Sequence, residues 1–260
     1  MRLPFYFFGS CFQKNLQERI EMIGRYLMFI CCIGCLTALF CTDDRPEDQS
    51  RGTVACTDSL PLHTGVATYY DFADGGGNCC FPPTPDDLMV GAMNHTDYDD
   101  SYACGSCVAI DGPDSSIEIR IVDQCPECGP GHIDLSPLAF SLISPLEKGR
   151  VPITWRVIPC PVTGPVVYHF KEGSNPWWIA IQIRNHRYPV LTFEYQDETG
   201  VFNELPRTTY NFFLKDDGLG AGPFVFRITD IFGHQLTDTV APADLGSTAV
   251  AGKMQFPLCE

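Results

Sequence analysis

SIEIRIVDQCPECGPGHIDLSPLAF, residues 116–140, sets the character of the chain. Its first eight residues alternate Ile and Val with Glu, Arg and Asp, the period-two pattern of a half-buried strand. Its end, continued as LSPLAFSLIS over 135–144, predicts a short helix: Ser136-Pro137 stands at the start, and Leu138, Phe140, Leu142 and Ile143 are apolar. A strand, a cysteine-rich turn and a helix within twenty-nine residues, 116–144, argue for a mostly β domain with one or two short helices.

The same signals extend in both directions. GVATYY (65–70), DLMVGAMN (87–94), CGSCVAIDG (104–112) and PITWRVIPC (152–160) read as further strands of that domain. After PCPVTGP (159–165) the cysteines nearly vanish, but VVYHFKEG, WWIAIQIRNH, PVLTFEYQD, TYNFFLKD, PFVFRITDIFG and HQLTDTV follow with turn signals between them. That spacing predicts a small immunoglobulin-like β-sandwich. The 23 glycines and 21 prolines of the 260 residues agree with a turn-rich, strand-rich chain.

The first 41 residues differ. Tyr26–Cys41 is uncharged and largely apolar, with Arg19 and Arg25 ahead of it. This predicts a signal peptide, with Met22 as an alternative start; a retained anchor, or lipidation of Cys41, is the competing reading. Residues 42–62 predict a polar, disordered linker. The domains are then placed at 63–160 and 161–260, in a secreted, extracellular protein. Residues 1–41 hold four cations (Arg2, Lys14, Arg19, Arg25) and two anions (Glu18, Glu21), so a chain of net charge −15 leaves −17 on the remainder. Such a charge excludes nucleic acid and anionic membranes as partners and disfavours acidic polysaccharides.

Five of the 14 cysteines fall in the N-terminal segment. The other nine predict disulfides in an exported protein, with one cysteine left over, for which Cys56 is the first candidate. Cys104-x2-Cys107 and Cys125-x2-Cys128 also fit a four-cysteine zinc site, but the further cysteines at 79, 80 and 160 favour disulfides and no metal. The histidines show no ligand spacing, and Arg184-Asn185-His186-Arg187 reads as a polar turn.

Taken in order, GVATYY, YACGSC, VDQCPEC and HIDLSPLAF, followed by KEGSNPWWIAIQIRNHRYPV, TYNFF and FRITDIFG, resemble the expansin family over residues 63–260. The resemblance implies a six-stranded double-psi β-barrel, a carbohydrate-binding module, no cofactor and, as partners, cellulose, neutral glucans and hemicellulose, with the protein acting as a monomer. It implies a glucan groove on the barrel containing Thr68, Asp123 and Asp134, with Tyr70 beside them. Microbial members often carry a tyrosine where Cys125 stands here. Trp177, Trp178 and Tyr210, with Lys171 at their edge, are implied as the binding residues of the second domain.

Each of these has a plainer reading. Asp134 could serve the backbone at the helix start, but the lytic endoglucanases that share this barrel place their general acid there. Inverting hydrolysis needs a second carboxylate about 6.5–9.5 Å away. In Thr68-Tyr69-Tyr70-Asp71-Phe72 the aspartate falls one position early, on the opposite strand face, leaving only Asp71 or Asp74 to reach in from a loop. The expected function is therefore non-lytic wall loosening. A hydrolase of cellulose or peptidoglycan and a pure adhesion module are the competitors. Trp155 reads as core. Trp177 and Trp178, being adjacent, can both face solvent only if the chain bends at Ser174-Asn175-Pro176.

Overall fold

The computed structural model describes residues 60–71 and 73–259. The expectations for the apolar segment, Cys41, most of the linker and Cys56 lie outside the described residues. All described residues belong to one compact unit.

Six strands close a barrel in the order β1-β5-β2-β4-β3-β6. They are β1 (His63–Tyr69), β2 (Val90–Asn94), β3 (Cys107–Asp111), β4 (Ser116–Cys125), β5 (Ile133–Leu135) and β6 (Val151–Ile158), with α1 (His95–Tyr98) after β2 and α2 (Pro137–Ile143) after β5. The pairs β1·β5 and β2·β4 are parallel and the others antiparallel. This is the double-psi barrel.

Period two does the sorting. Ile117, Ile119 and Ile121 enter the core with Val108, Ile110, Ile133, Leu135 and Ile153, while Glu118 and Arg120 between them point outward. Trp155 is core as expected, stacked on His63 at 3.9 Å and donating Nε1–H to the carbonyl of Gly131. The helix also forms where expected, capped by the Ser136 hydroxyl, which accepts from the N–H of Ala139 at 3.0 Å. Its apolar positions split, however. Phe140 and Ile143 are buried, while Leu138 and Leu142 remain exposed, because a helix of seven residues presents only one narrow face to the barrel.

Residues after 165 form two four-stranded sheets, β10-β9-β12-β13 and β11-β8-β7-β14. The strands are β7 (Val167–Phe170), β8 (Ile179–Arg184), β9 (Val190–Gln196), β10 (Phe202–Glu204), β11 (Phe213–Lys215), β12 (Phe224–Asp230), β13 (Gln235–Val240) and β14 (Ala249–Ala251). Aromatic contacts join the sheets face to face: Tyr168 with Phe226 at 5.7 Å and Phe193 with Phe213 at 5.0 Å. The strands that pattern reading passed over, β5, β10 and β14, have three residues each, too few to show a period.

Disulfides staple the barrel: Cys79–Cys104, Cys107–Cys160 and Cys125–Cys128. The four cysteines with zinc-like spacing are thus shared among three bonds. Cys80 and Cys259 are disulfide-bonded as well, so none of the eight cysteines among the described residues is free.

Barrel and sandwich meet through hydrogen bonds and one cation. The side chains of Gln182 and Asn211 both donate to the carbonyl of Cys79, at 2.8 and 3.2 Å. Ser101 donates to the carbonyl of Thr208 at 2.8 Å. The Arg207 guanidinium lies over Tyr102 and Phe213, 4.3 and 4.4 Å from their centroids. The 184–187 segment does turn, with Asn185 at φ 55°. His186 is nonetheless buried, because this turn packs against Gly105 of the barrel.

Candidate functional site

Four strands carry one row of residues. Thr68 on β1 pairs with Asp134 on β5, Asp134 pairs with Ala92 on β2, and Ala92 pairs with Asp123 on β4. Asp134 sits between the core residues Ile133 and Leu135, so alternation turns its carboxyl to the outer face. Asp123 reaches the row only through a bulge. Gly91 pairs with Ile121 and Ala92 with Asp123, leaving Val122 as the extra residue. Ala92, between the two carboxylates in the row, is itself buried.

Each member is held. The Thr68 hydroxyl donates a short hydrogen bond to Asp134 and accepts from Nε2 of His132 at 2.8 Å. This strand pairing is possible because Gly65 and Gly131 touch; a Cβ on Gly65 would lie 2.0 Å from the Gly131 carbonyl oxygen. Burial raises the pKa of Asp134, opposed by the Thr68 bond and by His132. Burial lowers that of His132. Asp123 accepts through Oδ1 from the N–H groups of Asn78 at 2.6 Å and Gln124 at 2.8 Å. Gly77 is required there, since its Cβ would come within 2.4 Å of the Asp123 side chain.

Tyr70 packs beside the row on Ala73, Val90 and Val122. Its hydroxyl is buried with no hydrogen-bond partner. Burial, then the charges of Asp123, Asp134 and Asp74, push its pKa far above the usual phenol range. Asp71 and Asp74 are exposed on the following loop, where Asp74 accepts from the N–H of Gly76 at 2.9 Å.

On the sandwich, the expected bend is present. Asn175 and Trp178 form an isolated bridge around Pro176-Trp177, and the Trp177 N–H donates to the Asn175 side chain at 3.0 Å. Trp177 is 76% exposed at the tip. Trp178 is half-buried on a cluster of Ala180, Tyr210 and Phe212, which also includes Cys80 of the barrel. The cluster therefore adjoins the loop whose Asn78 holds Asp123.

No family model matches the chain. Expansin-YoaJ of Bacillus subtilis is 37% identical over 204 residues, spanning 75% of this chain and 87% of that protein. The chain belongs to the expansin family. Expansin-like protein 2 of Dictyostelium discoideum is 30% identical, over 78% of this chain and 52% of its own. Among solved structures, the Clavibacter michiganensis expansin matches with a TM-score of 0.70 at 27% identity, covering 76% of this chain and 99% of that one. An aspartate-to-asparagine variant of it, crystallised with cellohexaose, matches equally.

In this expansin the barrel residues named from sequence, Thr68, Asp123, Asp134 and Tyr70, come together. The sandwich residues divide. Tyr210 and Lys171 are buried, at 2% and 7% exposure, although the sequence reading groups them with Trp177 and Trp178 as expected binding residues. Tyr210 lies 6.0 Å from Phe212, and the Lys171 ammonium stands 5.2 Å from the Phe212 ring. Both support the cluster on which Trp178 rests. Sequence reading passed over His132 and Asn78. Alternation offered a signal for His132, two residues before Asp134 on the same side; nothing local marked Asn78.

Proposed function

We propose that this expansin is exported, binds cellulose and neutral matrix glucans along the barrel row and the Trp177–Trp178 face, and loosens walls without cutting them. The row Thr68–Asp134–Ala92–Asp123 carries the reading. It is a line of hydroxyl and carboxyl groups suited to a chain of hydroxyls, and the exposed Trp177 ring and half-buried Trp178 offer faces that suit the C–H faces of sugars. Asp134, with its pKa raised by burial, holds or shares a proton with the bound chain.

Hydrolysis needs a carboxylate disposed to activate water. Asp123 is tied to two backbone N–H groups, and Asp71 and Asp74 lie exposed on a loop. Those ties support the non-lytic reading. Purified protein incubated with cellulose, xylan and peptidoglycan is expected to weaken cellulose paper and release no reducing ends. Release that stops in Asp71→Asn, Asp74→Asn or Asp123→Asn would make the protein a hydrolase. Binding without weakening would leave only an adhesion module.

A further inference from the structure

A cleft of about 470 Å3 lies where the barrel meets the sandwich, within the roughly 300–1,000 Å3 usual for small-ligand sites. It is separate from the groove. The loop around Asn78–Phe81 stands between them, with Asn78 holding Asp123 on one side and Phe81 lining the cleft on the other.

Its polar groups converge and are only partly satisfied. Arg120 lines it with a buried Nε that has no hydrogen-bond partner, and its guanidinium stands 5.8 Å from the Phe81 centroid. Arg184 faces it from β8, its Nε donating to Gln182 at 2.5 Å. Burial lowers the Arg184 pKa only to about 10, so it stays charged at neutral pH. His186 must donate its Nδ1–H to the carbonyl of Tyr188, 2.8 Å away, which leaves Nε2 as an acceptor. Glu118 and Asp87 complete the lining with two exposed carboxylates.

Two guanidinium groups and two carboxylates balance in charge, so the lining favours neither an anion nor a cation. Planar donor forks and planar acceptors beside an aromatic ring match the vicinal hydroxyls and apolar face of a sugar. We propose that this cleft is a second saccharide site, taking one neutral sugar ring from a side branch or a chain end of a matrix polysaccharide. It does not depend on the groove reading.

The test titrates the protein, by calorimetry or NMR, with a xylose-branched xyloglucan oligosaccharide, xylohexaose and a glucuronate-bearing xylo-oligosaccharide. Insoluble cellulose binding is measured in parallel. Val162→Trp, which adds an indole to the lining, is expected to weaken the neutral oligosaccharides tenfold or more while leaving cellulose binding unchanged. Glu118→Gln, at an exposed position, should weaken them several-fold without touching the fold. Weakening confined to the branched sugar assigns a side branch; equal weakening of xylohexaose assigns a chain end. The proposal is overturned if neither variant alters affinity, if no neutral oligosaccharide binds, or if the glucuronate sugar binds tighter than its neutral counterpart. Failure of wild-type protein to bind cellulose would count against the groove reading alone.

Discussion

Thr68 and Asp134 are cross-strand partners joined by a hydroxyl–carboxyl hydrogen bond. The helix that follows takes its cap from Ser136 instead, so Asp134 has no duty at the helix start.

Asp134→Asn is therefore expected to abolish wall loosening and leave cellulose binding nearly unchanged. Asn keeps the size and can still pair with Thr68, so the stability loss should stay below about 1–2 kcal/mol. Wall creep, cellulose pull-down and urea unfolding on one preparation separate these effects. A larger stability loss would mark a structural carboxylate.

Trp177 is exposed and Trp178 half-buried, which separates two variants. Trp177→Ala should lower cellulose affinity by up to about tenfold, for a stacking contribution of roughly 0.5–1.5 kcal/mol, with no change in Tm. Trp178→Ala should lower both affinity and Tm, because it uncovers Tyr210 and Phe212. Equal Tm losses in the two would contradict the exposure difference.

Cys107–Cys160 closes a separation of 53 residues and Cys125–Cys128 one of 3. Loop-closure entropy then predicts that removing the first pair costs about 2–5 kcal/mol and the second much less. Reductant should lower Tm and a chelator should not. Stoichiometric zinc that is lost together with the fold on chelation would reverse this.

Burial holds His186 and His169 neutral, with pKa values pulled down to about 4, whereas an unfolded histidine titrates near 6.5. Between those values the unfolded chain binds protons that the folded chain refuses. The stability these rings contribute is complete above about pH 6.5 and is lost as pH falls toward 4. Asp134, with its pKa raised, acts in the opposite sense: its contribution is present at low pH and lost as pH rises through its folded value. Urea midpoints should fall from pH 7 to pH 5, and His186→Gln should flatten the slope. An unchanged slope in His186→Gln would show that the folded protein takes up the His186 proton.

Much of this protein is written locally. The alternation of Ile117, Ile119 and Ile121 with polar residues needs only the two-residue period of a strand. Ser136-Pro137 needs only the geometry of a first helical turn, and Asn175-Pro176 that of a bend. The order of short motifs sufficed for the family and singled out Thr68, Asp123 and Asp134, which the strand pairings set in one row.

Other features depend on contacts between residues far apart in sequence. Val122 becomes a bulge only because β2 lies beside β4 in that register, and that single extra residue brings Asp123 into the row. Tyr210 is buried because Phe212 and Ala180 close around it, and no pattern within TYNFF tells an inward tyrosine from an outward one. The pairings Cys79–Cys104 and Cys107–Cys160, and the balanced cleft between barrel and sandwich, likewise come from where the strands meet. Local pattern fixes which face of a strand is apolar; only the packed chain fixes which neighbour that face meets.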